Sequence, residues 1–358
     1  MVDRTKLKNA MMDSRLRYRK ELMTHPKLHY FFLELTLNCN EHCLHCGSRC
    51  GEVFPDNLLS LQEYKDILVQ MKEDFGTEGY TLAVTGGEPL LYPHFFELMT
   101  FAKELGFHWG MTSNGTLITK EVAQKLKTAG MGTIAISVDG LEADHDEFRR
   151  SPGGYKRAMQ GINNLIEVGG FRNIMITTVV THKTIGKLDE MLETFDKLDI
   201  DTWRLINIEP MGRALDHPDL LLTPEDYRVL LEYIKVKSDE GYPIIYSCAH
   251  FLGDYEYEVR NWGFTCEAGI GIASITCYGD IIACLDIERT PDVVQGNIRK
   301  DRFKDVWENK FEIFRNPEAR RTEKCKNCQK WDNCIGGACH TFDYRTNQQR
   351  LCFKDILF

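Results

Sequence analysis

Thirteen cysteines, and above all where they fall, constrain this chain more than any other feature. Four lie between Cys39 and Cys50, none between Cys50 and Cys248, and nine between Cys248 and Cys352. Cysteines used as small core residues would be scattered along the chain. An odd number also argues against a disulfide framework in a chain that stays in the reducing cytosol. That location is expected. The N-terminus, MVDRTKLKNAMMDSRLRYRK, lacks the apolar segment of a secretory signal, and no apolar run reaches the roughly 18 residues of a membrane helix. Clustered thiols in a cytoplasmic protein point to metal or iron–sulfur ligation. Otherwise the composition is that of an ordinary globular protein. It has 358 residues, 43% hydrophobic and 27% charged, enough for about two domains at roughly 150 residues each. A net charge of −9 and a pI near 5.7 argue against a broad basic nucleic-acid footprint. Neither nucleic acid nor membrane is expected as a partner.

Strands are expected at FFLELTL (31–37), YTLAVT (80–85), FHWGMTSNG (107–115), TIAISVDG (133–140), IMITTVV (174–180) and WRLINIEP (203–210). Helices fall between them. One opens on the capping-box pattern Ser60-Leu-Gln-Glu63, one stops at Gly106, one is capped by Thr119, and two cover 155–168 and 186–198. Thr223-Pro224-Glu225 begins another. Six βα units imply a parallel sheet with right-handed crossovers, either an open doubly wound sheet or a partial barrel. In both, the active site lies at the C-terminal ends of the strands. Cys39, Gly86-Gly87-Glu88, Asn114-Gly115, and Ser137 with Asp139 all fall there. Beyond about residue 245 the pattern changes. ASITCYGDIIACLDI reads as a hairpin around Gly279-Asp280, and a short helix is expected near DRFKDVWENKF. The cysteine-rich end has too little apolar periodicity to build a core, so metal centres would organise it.

Two constellations carry the chemistry of the first half. Cys39-Asn-Glu-His-Cys43-Leu-His-Cys46 places three thiolates so that they can wrap one face of a [4Fe–4S] cube, leaving one iron without a protein ligand. A zinc site completed by His42 or His45 is the competing reading, and Cys50 fits no fourth position. The second is Thr85-Gly86-Gly87-Glu88-Pro89, where the glycines permit close backbone approach to a ligand and Glu88 offers a carboxylate to an ammonium group.

Together these motifs resemble the radical S-adenosylmethionine (SAM) superfamily over about residues 28–240. The resemblance implies a partial (β/α)6 barrel, with Cys39, Cys43 and Cys46 as ligands of the SAM-binding cluster. It also implies that Gly86, Gly87 and Glu88 hold the methionine amino group. Ser137-Val-Asp139-Gly140 and Arg149 are similar to the stretch facing the methionine carboxylate. Asn114 and Glu209-Pro-Met-Gly212-Arg213 stand where the family contacts ribose and adenine. The C-terminal cysteines resemble the SPASM extension, a small iron–sulfur domain that carries two auxiliary [4Fe–4S] clusters. In its pattern Cys266, Cys284 and Cys339 belong to an inner cluster, and Cys325, Cys328, Cys334 and Cys352 to an outer one. Cys277 is the first candidate for the inner cluster's fourth ligand, with Cys248 or an open iron as alternatives. A zinc ribbon at Cys325 and Cys328 is the competing reading. Four residues separate Cys334 from Cys339, where the family usually has three. Asp286 lies one residue beyond the catalytic aspartate of the sulfatase-maturating relatives, an offset that would turn it to the other face of a hairpin.

The domains expected from these motifs are an N-terminal extension (1–27), a barrel (28–240), a linker (241–262) and the auxiliary-cluster domain (263–358). The resemblance implies a radical SAM oxidoreductase with three [4Fe–4S] clusters and SAM, fed by an electron donor such as ferredoxin or flavodoxin. It would oxidise or crosslink a side chain of a ribosomally made peptide or protein. Sulfatase-type formylglycine maturation and small-molecule, haem-pathway chemistry are the alternatives. Only 38 residues precede Cys39, too few for a fused leader-binding domain, so a peptide substrate would dock directly or through a separate leader-peptide-binding protein. The basic segment with Lys6, Lys8, Arg15, Arg17, Arg19 and Lys20 is read as a docking helix or, more ordinarily, a solvated helix face.

Overall fold

In the computed structural model, which describes residues 4–52, 56–260, 262–263 and 265–358, the alternating pattern becomes a single large sheet. Its strands are β1 (Tyr30–Glu34), β2 (Thr81–Thr85), β3 (Trp109–Ser113), β4 (Met131–Ser137), β5 (Asn173–Val180), β6 (Thr202–Asn207), β7 (Ile244–Tyr246), β8 (Ile272–Ile275), β9 (Asp280–Ile282) and β10 (Gly296–Asn297). They lie in the order β10-β9-β8-β1-β2-β3-β4-β5-β6-β7. The strands from β8 to β7 are mutually parallel, and β9 and β10 add an antiparallel edge. The architecture is a partial barrel.

The local signals read from the sequence act where they stand. Helix α1 (Arg4–Thr24) precedes the sheet. Helix α2 (Leu61–Phe75) starts on a complete capping box between Ser60 and Glu63. It buries Tyr64, Ile67, Leu68 and Met71, one stripe at helical spacing. Helix α3 (Phe95–Leu105) ends on Gly106, whose left-handed φ of +98° a side chain would resist. Helix α4 (Lys120–Thr128) is capped by Thr119. Helices α5 (Glu142–Arg149), α6 (Gly154–Val168) and α7 (Leu188–Phe195) follow, and α8 (Pro224–Asp239) opens on a Thr223/Asp226 capping box. The short helix expected in the C-terminal part is α9 (Phe303–Asn309).

Three features depart from the sequence reading. The parallel run has eight strands, not six. Strand β7 lies in the span assigned to a linker; it is three residues long and follows Pro243, too short to show a pattern. Strand β8 belongs to the expected hairpin, but it also pairs with β1 some 240 residues earlier, Tyr30 against Ile272, so the sheet runs continuously from the barrel into the cysteine-rich half. Third, α1 is solvated on one side only: Arg17 and Lys20 are exposed, while the side carrying Arg15 and Arg19 packs inward. Arg15 and Arg19 are buried and donate to the Asn333 carbonyl beside Cys334, at 3.3 and 3.1 Å, and Arg15 also pairs with buried Glu256 at 2.9 Å. The side chain of Lys6 lies outside the described residues, while Lys8 pairs with Glu258. Among the described residues no helix is long and apolar enough to cross a membrane.

Removing a charged donor from a buried pair costs about 1–3 kcal/mol when the partner keeps another cation, as Glu256 keeps Arg260. Arg15→Ala is expected to lower unfolding free energy by that amount in urea titrations. A change below about 0.5 kcal/mol, the range of an ordinary surface substitution, would show that α1 does not clamp the C-terminal half.

Candidate active site

The loop after β1 carries Cys39, Cys43, Cys46 and Cys50 into a chamber at the C-terminal ends of the parallel strands. The chamber's cavity volume is about 320 Å³, within the range of small-molecule sites. Gly86, Gly87, Asn114, Ser137, Asp139 and Arg149 also line it. Burial pushes Cys39 up to about 11 and Cys43 up to about 12, whereas hydrogen bonding with the Cys50 thiol holds Cys46 down at about 6. Ligation would displace protons from the first two.

The loop is held by partners from all around it. A Cβ on Gly87 would sit 2.1 Å from the Asn38 carbonyl and one on Gly86 2.4 Å from that of Thr36, while the Gly87 amide donates to the Thr36 carbonyl at 2.7 Å and the Glu88 amide to that of Asn38 at 2.9 Å. The glycine pair therefore lets the second strand's loop lie against the cysteine loop, a role the sequence reading assigned to ligand approach. Arg213 donates to the Cys43 carbonyl at 2.7 Å, the Cys50 carbonyl at 3.0 Å and Glu52 at 2.9 Å. Gly212, at φ +52°, brings its backbone against Cys46, where a Cβ would meet the carbonyl at 2.3 Å. Asn114 donates to Asn40 of the loop at 2.8 Å.

Several residues expected to touch the cofactor are engaged with protein. Glu88 is fully buried and does not line the chamber. Its carboxylate accepts from the Ser113 hydroxyl at 3.0 Å and from the Asn114 and Leu90 amides at 2.9 and 3.3 Å, so it fixes the end of β3. Burial lifts its carboxyl to about 7 against those hydrogen bonds. Arg149 is tied to Asp139 at 2.7 Å and Glu41 at 2.9 Å, all buried. Burial works against the charge on Asp139, yet Arg149 beside it keeps its carboxyl below the ordinary range. Other groups are open to the chamber. The Ser137 hydroxyl has no hydrogen bond among the described residues, and buried Glu41 Oε1 has no partner. His45, read as a competing zinc ligand, instead stacks on Phe148 with ring centroids 4.4 Å apart; burial lowers it to about 4, so the ring is neutral.

A second chamber adjoins the first and is lined by Cys248, Cys266, Cys284, Glu209, Asp286 and His340. Cys339 sits beside it, its amide 3.4 Å from Cys266 Sγ. Cys277 does not join this group. It lies at the turn of the β8/β9 hairpin, packed with Leu37 and Cys50, and its amide donates to Glu34. Pairing of Ser274 with Ile282 sends Cys284 back along the hairpin, toward the level of Ile272, and strand spacing of about 3.3 Å per residue separates the two cysteines. Cys248 is the alternative that the fold brings to Cys266 and Cys284. Asp286 does face the chambers. Ladder pairing stops at Ile282, and Cys284 begins a turn closed by the Ile287 amide, so strand alternation no longer governs which way residue 286 points. Its carboxylate lies 3.9 Å from Cys284 Sγ. Cys325, Cys328, Cys334 and Cys352 line a separate, mostly apolar cavity.

Among the described residues one group of three metal-competent ligand atoms gathers within 4.8 Å, the Glu209 carboxylate with His250 and His340. Glu209 accepts from His250 at 2.9 Å and also contacts His340. Burial opposes both charges, but their attraction holds Glu209 far below the carboxylate range and raises His340 to about 10. His250 and His340 carry no motif and were not legible in the sequence. The cysteine sulfurs form no such tight group, whereas tetrahedral zinc would draw them to about 3.8 Å from one another. Spread thiols on chamber walls suit the larger iron–sulfur cube: Cys39, Cys43 and Cys46 would hold one, Cys325, Cys328, Cys334 and Cys352 a second, and Cys266, Cys284 and Cys339 a third. The unpartnered Glu41 and Ser137 oxygens offer a polar ligand its contacts in the first chamber.

The family described as "Radical SAM superfamily" matches residues 33–195, and the "Iron-sulfur cluster-binding domain" named SPASM matches 266–329. The chain is 30% identical over 315 residues to the mycofactocin maturase MftC of Mycolicibacterium smegmatis, covering 85% of this chain and 76% of that one. It is 27% identical over 323 residues to the AdoMet-dependent heme synthase of Methanosarcina barkeri, covering 85% and 89%. Among solved structures, anSMEcpe with bound AdoMet superposes with a TM-score of 0.69 at 19% identity, covering 89% of this chain and 92% of that one. SuiB of Streptococcus suis bound to its precursor peptide SuiA gives 0.67 at 19% identity, covering 94% and 77%.

Two outcomes test the site. Glu88, raised from about 4.5 to about 7, stabilises the fold in its protonated form below about pH 4.5, and that stability is lost as pH rises through 7. Glu88→Gln should remove the loss, gaining up to about 3 kcal/mol on wild type between pH 5 and 8 in denaturant titrations. Parallel pH profiles would rule out the raised carboxyl. Gly87→Ala must displace the Asn38 backbone and should cost the loop's iron, seen as about a third less iron per anaerobically reconstituted chain if all three clusters form. Full iron content would contradict the assigned packing.

Proposed function

From the premise that the chain belongs to the radical SAM superfamily and carries a SPASM domain, we propose that it oxidises or crosslinks a side chain of a ribosomally made peptide or protein. Bound at the Cys39 loop, a [4Fe–4S] cluster and SAM supply a 5′-deoxyadenosyl radical able to take a hydrogen atom from an unactivated C–H bond. The protein's part is to place that bond and exclude water. One observation carries the peptide reading. Asp286 stands where three cavities meet: the cofactor chamber, the auxiliary chamber, and a surface groove along 47–49, 211–212 and 285–289. An extended chain lying in the groove can pass one side chain inward past Asp286, whose carboxylate is positioned to accept a proton from it. The relative at 30% identity is named a maturase, which supports this reading. A separate leader-binding protein and a ferredoxin- or flavodoxin-type electron donor complete the proposal.

A small-molecule reading has its own support, since several relatives at 27–29% identity are named AdoMet-dependent heme synthases. The two part in one experiment. A short peptide encoded beside the gene is co-expressed with the enzyme under anaerobic conditions and weighed. The expected result is loss of two hydrogen atoms per modification, abolished by Cys39→Ala and strongly slowed by Asp286→Asn. An unmodified peptide, with turnover of an iron tetrapyrrole instead, moves the assignment to the second reading. No 5′-deoxyadenosine from reduced enzyme with either substrate would overturn both.

A further inference from the structure

Three arginines around the two chambers have found acids. Arg149 has Asp139 and Glu41, Arg213 has Glu52, and Arg289 has Glu34. Arg204 has none. It stands on β6, its Nε donates to the Thr177 hydroxyl at 3.0 Å, and no carboxylate lies within ion-pair distance of it among the described residues. Its side chain lines both chambers, at the partition it shares with His45, Val179, Ile206, Met211 and Asp286. Register places Ser137, Thr177 and Arg204 at one level on three adjacent strands, so the guanidinium closes a polar row that faces the open space. Burial lowers its pKa, and only the thiol of Cys248 and the phenol of Tyr30, not a carboxylate, work against that. A guanidinium that borders two chambers with its planar pair of terminal donors unclaimed is placed to meet an anion. The remaining walls of the second chamber are largely apolar, from Phe32, Ile206, Ile208, Ala249, Ala268 and Ile272.

We propose that Arg204 is the anchor for a carboxylate of the substrate, held by its free terminal NH2 groups at the partition between the chambers, with the apolar body of the substrate lying in the second chamber. The proposal rests on the reading of these chambers as the reaction centre, and it holds whether the carboxylate belongs to a peptide or to a smaller molecule. Anchoring at the partition leaves the atoms next to the carboxylate facing the cofactor chamber, so Arg204 is a positioning and specificity-determining residue. Methionine's own carboxylate in SAM is the other source of the same chemistry, and the test separates the two.

The protein is the anaerobically reconstituted, SAM-loaded full chain, and the probes are hydrocinnamate and its neutral isostere hydrocinnamamide, measured by equilibrium dialysis. The acid is expected to bind about tenfold more tightly than the amide, the advantage of a charge-assisted bidentate contact. Arg204→Met should abolish that preference and Arg204→Lys should keep part of it, both with wild-type iron content and SAM affinity within about twofold. Equal binding of acid and amide to the wild type overturns the proposal. So does a large loss of SAM affinity in Arg204→Met, which would assign the guanidinium to the cofactor. Failure of the peptide reading is seen separately, as an unmodified peptide with wild-type enzyme, while the acid-over-amide preference stands.

Discussion

The structure depends on how the cysteine loop after β1 is held. A segment presenting four thiols has little apolar surface to bury, and its carbonyls need donors from elsewhere. Arg213 supplies them, with its guanidinium on the Cys43 and Cys50 carbonyls and on Glu52, while the His42 and Leu44 amides reach the carbonyls of Arg149 and Phe148. Hydrogen bonds from a charged donor are worth about 1.5–3 kcal/mol each, more than neutral ones. The loop thus takes its shape from β6's exit and the end of α5, and strands far apart in sequence must be in register before thiols can face one chamber.

The same coupling joins the two halves of the chain. Strand β8 extends the parallel run beside β1, and Arg289 closes on Glu34 at the C-terminal end of β1. Helix α1 crosses from the other end of the sequence to hold the loop around Cys334. The cysteine-rich half is therefore an extension of the barrel wall. Its position brings Cys266 and Cys284 to the wall of the second chamber, beside strand residues of the first half such as Arg204 and Ile206.

Charge is distributed with the same economy. Glu209 serves two imidazoles at once, Asp139 and Glu41 share Arg149, and Glu88 is spent inside the fold, tying β3 to the glycine turn. Each buried charge is met by an opposite charge or by hydrogen bonds, because desolvation would otherwise neutralise it. Arg204, by contrast, holds only the Thr177 hydroxyl and keeps its terminal donors for the chambers it lines.

By itself the sequence determined the family, the parallel barrel, and the clustering of the cysteines into motifs. Those follow from local rules: the three-thiol spacing of Cys39, Cys43 and Cys46, the glycine stop at Gly106, the capping boxes at Ser60 and Thr223, and the alternation of strand and helix. Only the tertiary structure decided the roles that depend on distant partners. Glu88 reads as a ligand carboxylate until Ser113 and Asn114 are seen to claim it. Cys277 reads as a neighbour of Cys284 until the hairpin register separates them. Asp286 reads as turned away until the ladder is seen to end at Ile282. His250, His340 and Arg204 lie in no motif at all. Spacing along the chain controls local conformation, but which side chains meet in a buried chamber is set by packing between elements hundreds of residues apart, and packing leaves no periodic trace in the sequence.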